Sequence, residues 1–181
     1  MSDVAYAGQQ SLTDRVGDFN RHSFLIKQTL LRTRTMTLVR VLAVYGGGVA
    51  APPTVDVLPL VNQMDGAGNS VPHGTVLGVL VFRPQSALGA VILDPVVGDV
   101  GFMAVADRDL STVKANAGAQ SNPGSRRVFS LADGVYVGGL FGGVPTQYVE
   151  FTALGINIVS LGALALTSAT LTWNGTPIAV P

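Results

Sequence analysis

After Glu150 the chain runs for 31 residues without one Asp, Glu, Lys or Arg. Ala153 to Thr172, within this stretch, is long enough for a membrane span, but its pattern is wrong for one. Asn157, Ser160, Thr167, Ser168, Thr170 and Thr172 are spread through it, and no basic residues flank it to set a topology. Its apolar residues recur at every second position: Ile156 with Ile158, Leu164 with Leu166, and Ala169 with Leu171 and Trp173, with Gly155 and Gly162 between. A period of two predicts short strands joined by tight turns. One chain cannot bury both faces of three such strands, whereas three intertwined copies can. Residues 146–181 are therefore expected to form intertwined β-structure packed through Ile156, Ile158, Leu164, Leu166, Leu171 and Trp173.

The whole composition leans the same way. Charged residues are 12% of the 181, against roughly 25% in ordinary soluble domains. A chain of this size leaves its surface so uncharged when much of that surface is covered by a partner. The acidic set is ten Asp and one Glu, and Lys occurs twice. Scarce Glu and Lys disfavour exposed helix, while Asp, 22 Gly and 10 Pro favour turns. Zero net charge gives no sign of nucleic-acid steering or of a membrane-surface patch. The absence of cysteine excludes disulfides, thiolate zinc sites and cysteine nucleophiles. The start of the chain lacks a basic stretch followed by an apolar core and does not read as a signal peptide.

One helix is expected, over 11–31, where Leu12, Val16, Phe19, Ile26 and Leu30 share a face. Ser11 would cap it, and Asp14 and Asp18 suit the positive end of its dipole. Leu12, Val16, Phe19 and Ile26 are expected to pack on the barrel or on a neighbouring subunit, because an exposed stripe of that length invites aggregation. From Thr35 the pattern alternates. Strands are expected at 35–45, 55–63, 75–82, 90–93 and 100–106, separated by Gly-, Pro- and Asp-rich turns. Five closely spaced strands imply a small OB-like Greek-key barrel. Residues 114–125 read as a loop, 128–131 and 135–137 as a hairpin around Ala132-Asp133-Gly134, and 138–145 as a flexible apolar stretch.

No catalytic constellation emerges. Gly46-x-Gly48-x-x-Ala51 matches a dinucleotide fingerprint formally, but Pro52 and Pro53 forbid the helix that would hold pyrophosphate. His22 and His73 lack companions for a metal site. Asp107-Arg108-Asp109 could suggest paired carboxylates, yet Arg108 would keep its neighbours ionised, and no hydrolytic dyad accompanies them. Arg126-Arg127 is too short for a nucleic-acid footprint and is expected to pair across a hairpin or subunit contact. No catalytic residue, cofactor or metal is expected.

Several stretches, taken in order, resemble the central spike proteins of contractile-tailed phage baseplates, a family with an N-terminal OB-fold. They are Pro53-Thr-Val-Asp-Val-Leu-Pro-Leu-Val-Asn-Gln63, Val71-Pro-His-Gly74, Asp94-Pro-Val-Val-Gly-Asp-Val-Gly101, Ala106-Asp-Arg-Asp-Leu-Ser111, Asn122-Pro-Gly-Ser-Arg-Arg127 and Pro145-Thr-Gln-Tyr148. The resemblance implies a homotrimer in the virion's tail baseplate, assembled in the bacterial cytoplasm. An OB-fold collar would sit under the tail-tube hub, and a β-helix or β-prism needle would pierce the host envelope on sheath contraction. Its partners would be two further copies, the baseplate hub proteins and, transiently, the host outer envelope, with no nucleic acid. Longer members close with a His-x-His pair that holds iron; here no histidine follows His73, so that metal is not carried over. The implied needle is short, and it either pierces alone or presents a separate tip protein.

The expected organisation is thus mainly β: a helical segment at 1–34, an OB-fold barrel with a hairpin extension at 35–145, and an intertwined needle at 146–181. The competing function is an OB-fold binding module for oligosaccharide or single-stranded nucleic acid. That reading calls for aromatic platforms and a basic groove, against 7% aromatics and zero net charge.

Overall fold

The computed structural model describes residues 12–168, 170, 172–173 and 176–177. The chain divides into two compact units, residues 1–142 and 143–181.

The first unit opens with a 3-10 turn, Leu12–Arg15, and helix α1, Asp18–Arg32. Gly17 separates them with φ +82°, a conformation that L side chains rarely adopt, so the expected single helix from 11 is broken there. The Asn20 side-chain amide spans the break, donating to the carbonyls of Thr13 (3.1 Å) and Val16 (2.8 Å). Strands β1 (Met36–Tyr45) and β2 (Thr54–Pro59) follow, then a minor hairpin of β3 (Gln63–Met64) and β4 (Ser70–Val71). The expected strand 55–63 is therefore split. After Pro59 the chain turns into the hairpin, whose tip is held by the Asp65 carboxylate accepting from the backbone N–H groups of Ala67 and Asn69. Strands β5 (Val76–Val81) and β6 (Val100–Val105) come next, then a short helix α2 (Ser111–Ala115), a 3-10 turn at Leu131–Asp133 and strand β7 (Gly134–Phe141).

Five strands close a barrel in the order β1-β2-β5-β7-β6, with β6 returning to β1. All neighbours are antiparallel except β5 and β7, which run parallel through Leu80–Val135 and Val81–Tyr136. This closed, mainly β barrel is compatible with an OB-like fold. Alternate residues point inward to make the core: Val39 and Val41, Val55 and Val57, Val79 and Val81, Met103, and Tyr136. Branched valines suit a narrow barrel because they fill the pleat with little rotamer freedom to lose.

The strand count is five as expected, but the membership differs. Residues 90–93 form no strand; Ala90 makes one isolated bridge to Gln85. Both edges of β5 are taken, by β2 and β7, so this apolar run has no sheet edge to join. The fifth member is β7, extending through Gly138 and Gly139 where a flexible stretch was expected. Glycines are needed there because β6 and β7 approach so closely. A Cβ placed on Gly101 would stand 1.8 Å from the Gly138 carbonyl oxygen. The expected hairpin at 128–137 is also replaced. Val128 bridges back to Arg108, and Ser130 caps the 3-10 turn that leads into β7.

The second unit contains an antiparallel hairpin, β8 (Tyr148–Thr152) with β9 (Gly155–Val159), and a short pair, β10 (Thr172–Trp173) with β11 (Thr176–Pro177). A strand hairpin thus occupies the start of the uncharged tail. Among the described residues no helix is long and apolar enough to cross a membrane.

Candidate assembly surface

The β8–β9 hairpin is sorted into two chemically distinct faces. Directly opposed residues share a face, and the register pairs Val149 with Ile158 and Phe151 with Ile156. These four form a continuous apolar face. The other face pairs Tyr148 with Val159, Glu150 with Asn157, and Thr152 with Gly155. It is held by Asn157 Nδ2 donating to Glu150 Oε2 at 2.9 Å and by the Thr152 hydroxyl donating to the Gly155 carbonyl at 3.0 Å.

In the single chain the apolar face is uncovered. Val149, Phe151, Ile156 and Ile158 are 57, 77, 62 and 56% exposed. An isolated two-stranded hairpin is marginal in water, and one that also leaves four large apolar side chains wet needs a covering surface. Ile156 and Ile158, two of the expected packing residues, lie together on this face. Leu164 and Leu166 are exposed in a segment outside the strands. Trp173 pairs through its backbone with Thr176 in β10–β11, and Leu171 lies outside the described residues. Val149 and Phe151 were missed: their alternation with Tyr148, Glu150 and Thr152 is the same period-two signal, but it begins before the uncharged stretch.

The helix stripe is also uncovered. Leu12 sits in the 3-10 turn, and Val16, Phe19 and Ile26 are exposed, Phe19 by 81%. No residue of α1 is buried. At 3.6 residues per turn, Phe19, Ile26 and Leu30 share one side while Phe24, Gln28 and Leu31 lie on the opposite side. It is Phe24 and Gln28 that are half-buried. In the single chain the Phe19 stripe is not packed on the barrel, so of the two expected covers a neighbouring subunit is the one left open.

The charged motifs are absorbed by the barrel's loops. Arg127, expected to contact a hairpin or another subunit, pairs within the chain. Its Nη2 donates to Asp109 Oδ1 at 2.8 Å and to Asp133 Oδ1 at 3.1 Å, and its Nε to Asp133 Oδ2 at 3.2 Å. Asp109 and Asp133 are buried, while the Arg127 side chain is 45% exposed. Asp109 also accepts from the Ser125 hydroxyl and the Ser111 N–H, and Asp133 from the Leu110 N–H. Hydrogen bonds from Ser125 and Ser111, with Arg127 beside them, hold the Asp109 carboxyl far below the usual carboxylate range. The groups that hold Asp109 ionised are thus chiefly the Ser125 and Ser111 hydrogen bonds, and the cation beside it is Arg127, not the adjacent Arg108. Together these groups clamp the long connection between β6 and β7. They are two carboxylates sharing one guanidinium, the arrangement of an ion-pair clamp.

The fingerprint-like glycine loop has an internal occupant. Asp94 accepts from the Gly48 N–H and from Arg83 Nη2 (2.9 Å), and Arg83 Nη2 also donates to the Ala51 carbonyl at 3.2 Å. The Gly48 bond, followed by Arg83, lowers the Asp94 pKa. The loop's N–H group is spent on the chain's own carboxylate. His73 Nδ1 lies 3.4 Å from Gln63 Nε2, and among the described residues no group of three His, Cys, Asp or Glu side chains could hold a metal ion.

No protein-family model matches the chain, and no curated protein matches it significantly.

Proposed function

We propose that this protein is a non-enzymatic structural subunit: the trimeric central spike of a contractile phage tail, which plugs the tail tube and is driven through the host envelope. The observation that carries the reading is the uncovered apolar face of the β8–β9 hairpin, Val149, Phe151, Ile156 and Ile158. Cyclic association would cover this face three times over, leaving Glu150, Asn157 and Thr152 toward water. Support also comes from the ordered stretches between Pro53 and Tyr148 that resemble the spike family, and from a closed barrel where that family carries its collar.

The alternative is an OB-fold binding module for oligosaccharide or single-stranded nucleic acid. Such folds bind on the face of the second and third barrel strands, here β2 and β5. The carboxylate of Asp56 lies on that face, accepting from the Tyr45 hydroxyl and the Gly78 N–H, both at 2.9 Å. A fixed anion there opposes phosphate binding.

Light scattering coupled to size exclusion tests the proposal. A stable mass of three chains that persists on dilution is the expected result. A monomer at micromolar concentration would refute the trimeric spike.

A further inference from the structure

The first unit carries a groove of about 1050 Å³ between α1, the start of β1 and the β3–β4 hairpin. Its apolar lining comes from both walls: Phe24 and Leu31 on the helix, Met36 at the start of β1, and Val61 and Met64 near the hairpin. Lys27, Arg32 and Arg34 line the same groove. None of these three cations forms an ion pair with a described residue; the pairs in this unit belong to Arg21, Arg83 and Arg127. Two carboxylates also line the groove: Asp65, engaged by its own turn through Ala67 and Asn69, and Asp14, which has an interaction of its own. The groove therefore joins an adaptable, methionine-containing apolar floor to three cations set against two carboxylates, a positive balance.

We propose that this groove docks an acidic amphipathic segment of a different protein, apolar side chains seated between α1 and the hairpin and carboxylates against Lys27, Arg32 and Arg34. Complementarity of charge selects the occupant. A second copy of this chain is a poor fit. Its acidic residues are scattered singly, apart from Asp14 with Asp18 and Asp107 with Asp109, and Asp109 is already bound to Arg127. The uncharged hairpin of the second unit has only Glu150 to offer, and Asn157 holds it. The mode is that of an amphipathic segment in a groove, with affinity from apolar anchors and selectivity from the charged rim.

The probe is a fluorescein-labelled 15-residue peptide with Leu at helical spacing and Glu at the remaining positions, set against the same peptide with Lys for Glu. Anisotropy titrations use the full chain. The acidic peptide should bind at micromolar concentration, weaken as salt rises from 50 to 300 mM (concentrations chosen around those where the Debye length is about 10 Å), and outcompete the basic one. The Lys27→Glu/Arg32→Glu variant should weaken binding at least tenfold, and Arg21→Glu, away from the groove, should leave it unchanged. Circular dichroism and molar mass are read on each variant. No binding up to 100 µM, equal binding of both peptides, or indifference to the double charge reversal would overturn the proposal. So would a change in oligomeric mass of the double variant, which would make the groove a contact between copies. A monomeric wild-type chain that still binds the acidic peptide would remove the spike reading and leave this one standing.

Discussion

Replacing Phe151 by Ser tests the proposed trimer most directly, because the exposure of this side chain in the single chain sets the size of the effect to expect. Fully burying a large apolar side chain contributes about 1.5–3 kcal/mol. Phe151 is 77% exposed, so most of that gain is still to be made on association. The loss should be about 1–2 kcal/mol per subunit, or about 3–6 kcal/mol per trimer. At 1.4 kcal/mol per tenfold, the trimer dissociation constant should rise by about 10²–10⁴. Sedimentation velocity over a hundredfold range of concentration reads this as a shift of the trimer–monomer midpoint. The control is Glu150→Ser, one residue away on the polar face, which should leave the midpoint in place. Two results would refute the reasoning: an unchanged midpoint for Phe151→Ser, or equal shifts for the two variants. Either would mean that the face with Val149, Ile156 and Ile158 is not what the copies bury.

Other expectations concern the first unit. Gly101→Ala should destabilise the barrel by about 3 kcal/mol or more, at or beyond the top of the overpacking range, because the new methyl would meet the Gly138 carbonyl at 1.8 Å and the Tyr136 hydroxyl at 2.7 Å; urea denaturation measures it, with Gly142→Ala, which has open space, as the neutral comparison. Arg127→Met should lower the urea midpoint without changing the slope, since Asp109 and Asp133 lose their shared cation while the same surface is exposed on unfolding. Acid should act through the same clamp: Asp109 has a depressed pKa when folded, so its contribution is complete above the ordinary carboxylate range near pH 4 and is lost as pH falls below it. An Asp109→Asn chain should therefore show a shallower loss of stability between about pH 4 and 2, and an unaltered acid limb would contradict the clamp. Phe19→Asp should leave the melting temperature unchanged, because that side chain is 81% exposed, and a lower one would show that the stripe is packed after all.

The barrel was legible because its signal is local and repeated. Val39 and Val41, Val55 and Val57, and Val79 and Val81 each alternate with outward residues, and each pair stands within a run bounded by turn residues. The misassigned strand shows where that logic stops. Ala90 to Leu93 is as apolar as β7 and contains no glycine, whereas β7 carries Gly134, Gly138 and Gly139. Composition favours the former; geometry favours the latter. A strand must find a free edge, and only the chain entering from the 3-10 turn at Leu131 can lie between β5 and β6. The clamp was half legible for a similar reason. Asp109 and Arg127 both stood out as charged motifs, but sequence neighbours suggested Arg108 as the partner. The true pairing spans 18 residues and depends on the fold of the connection.

The helix and the hairpin pose the opposite problem: their patterns are clear, but a pattern does not say which molecule does the burying. A stripe such as Phe19, Ile26 and Leu30 reads as core whether the cover is the same chain or another. In the barrel, alternation is consumed internally, and the inward residues are buried as one cluster. In α1 and in β8–β9 it is left unspent, with no buried residue in any of the three elements. The low charge content predicted hidden surface, and among the described residues the buried apolar cluster is that of the barrel. The apolar area left over is distributed over the hairpin face, the outward helix stripe and the cation-walled groove. These three surfaces differ in chemistry: the first is neutral and self-complementary, while the third is positively charged and ill-suited to a copy of itself. A subunit built this way can join its own kind through one unit while presenting the other to a different partner.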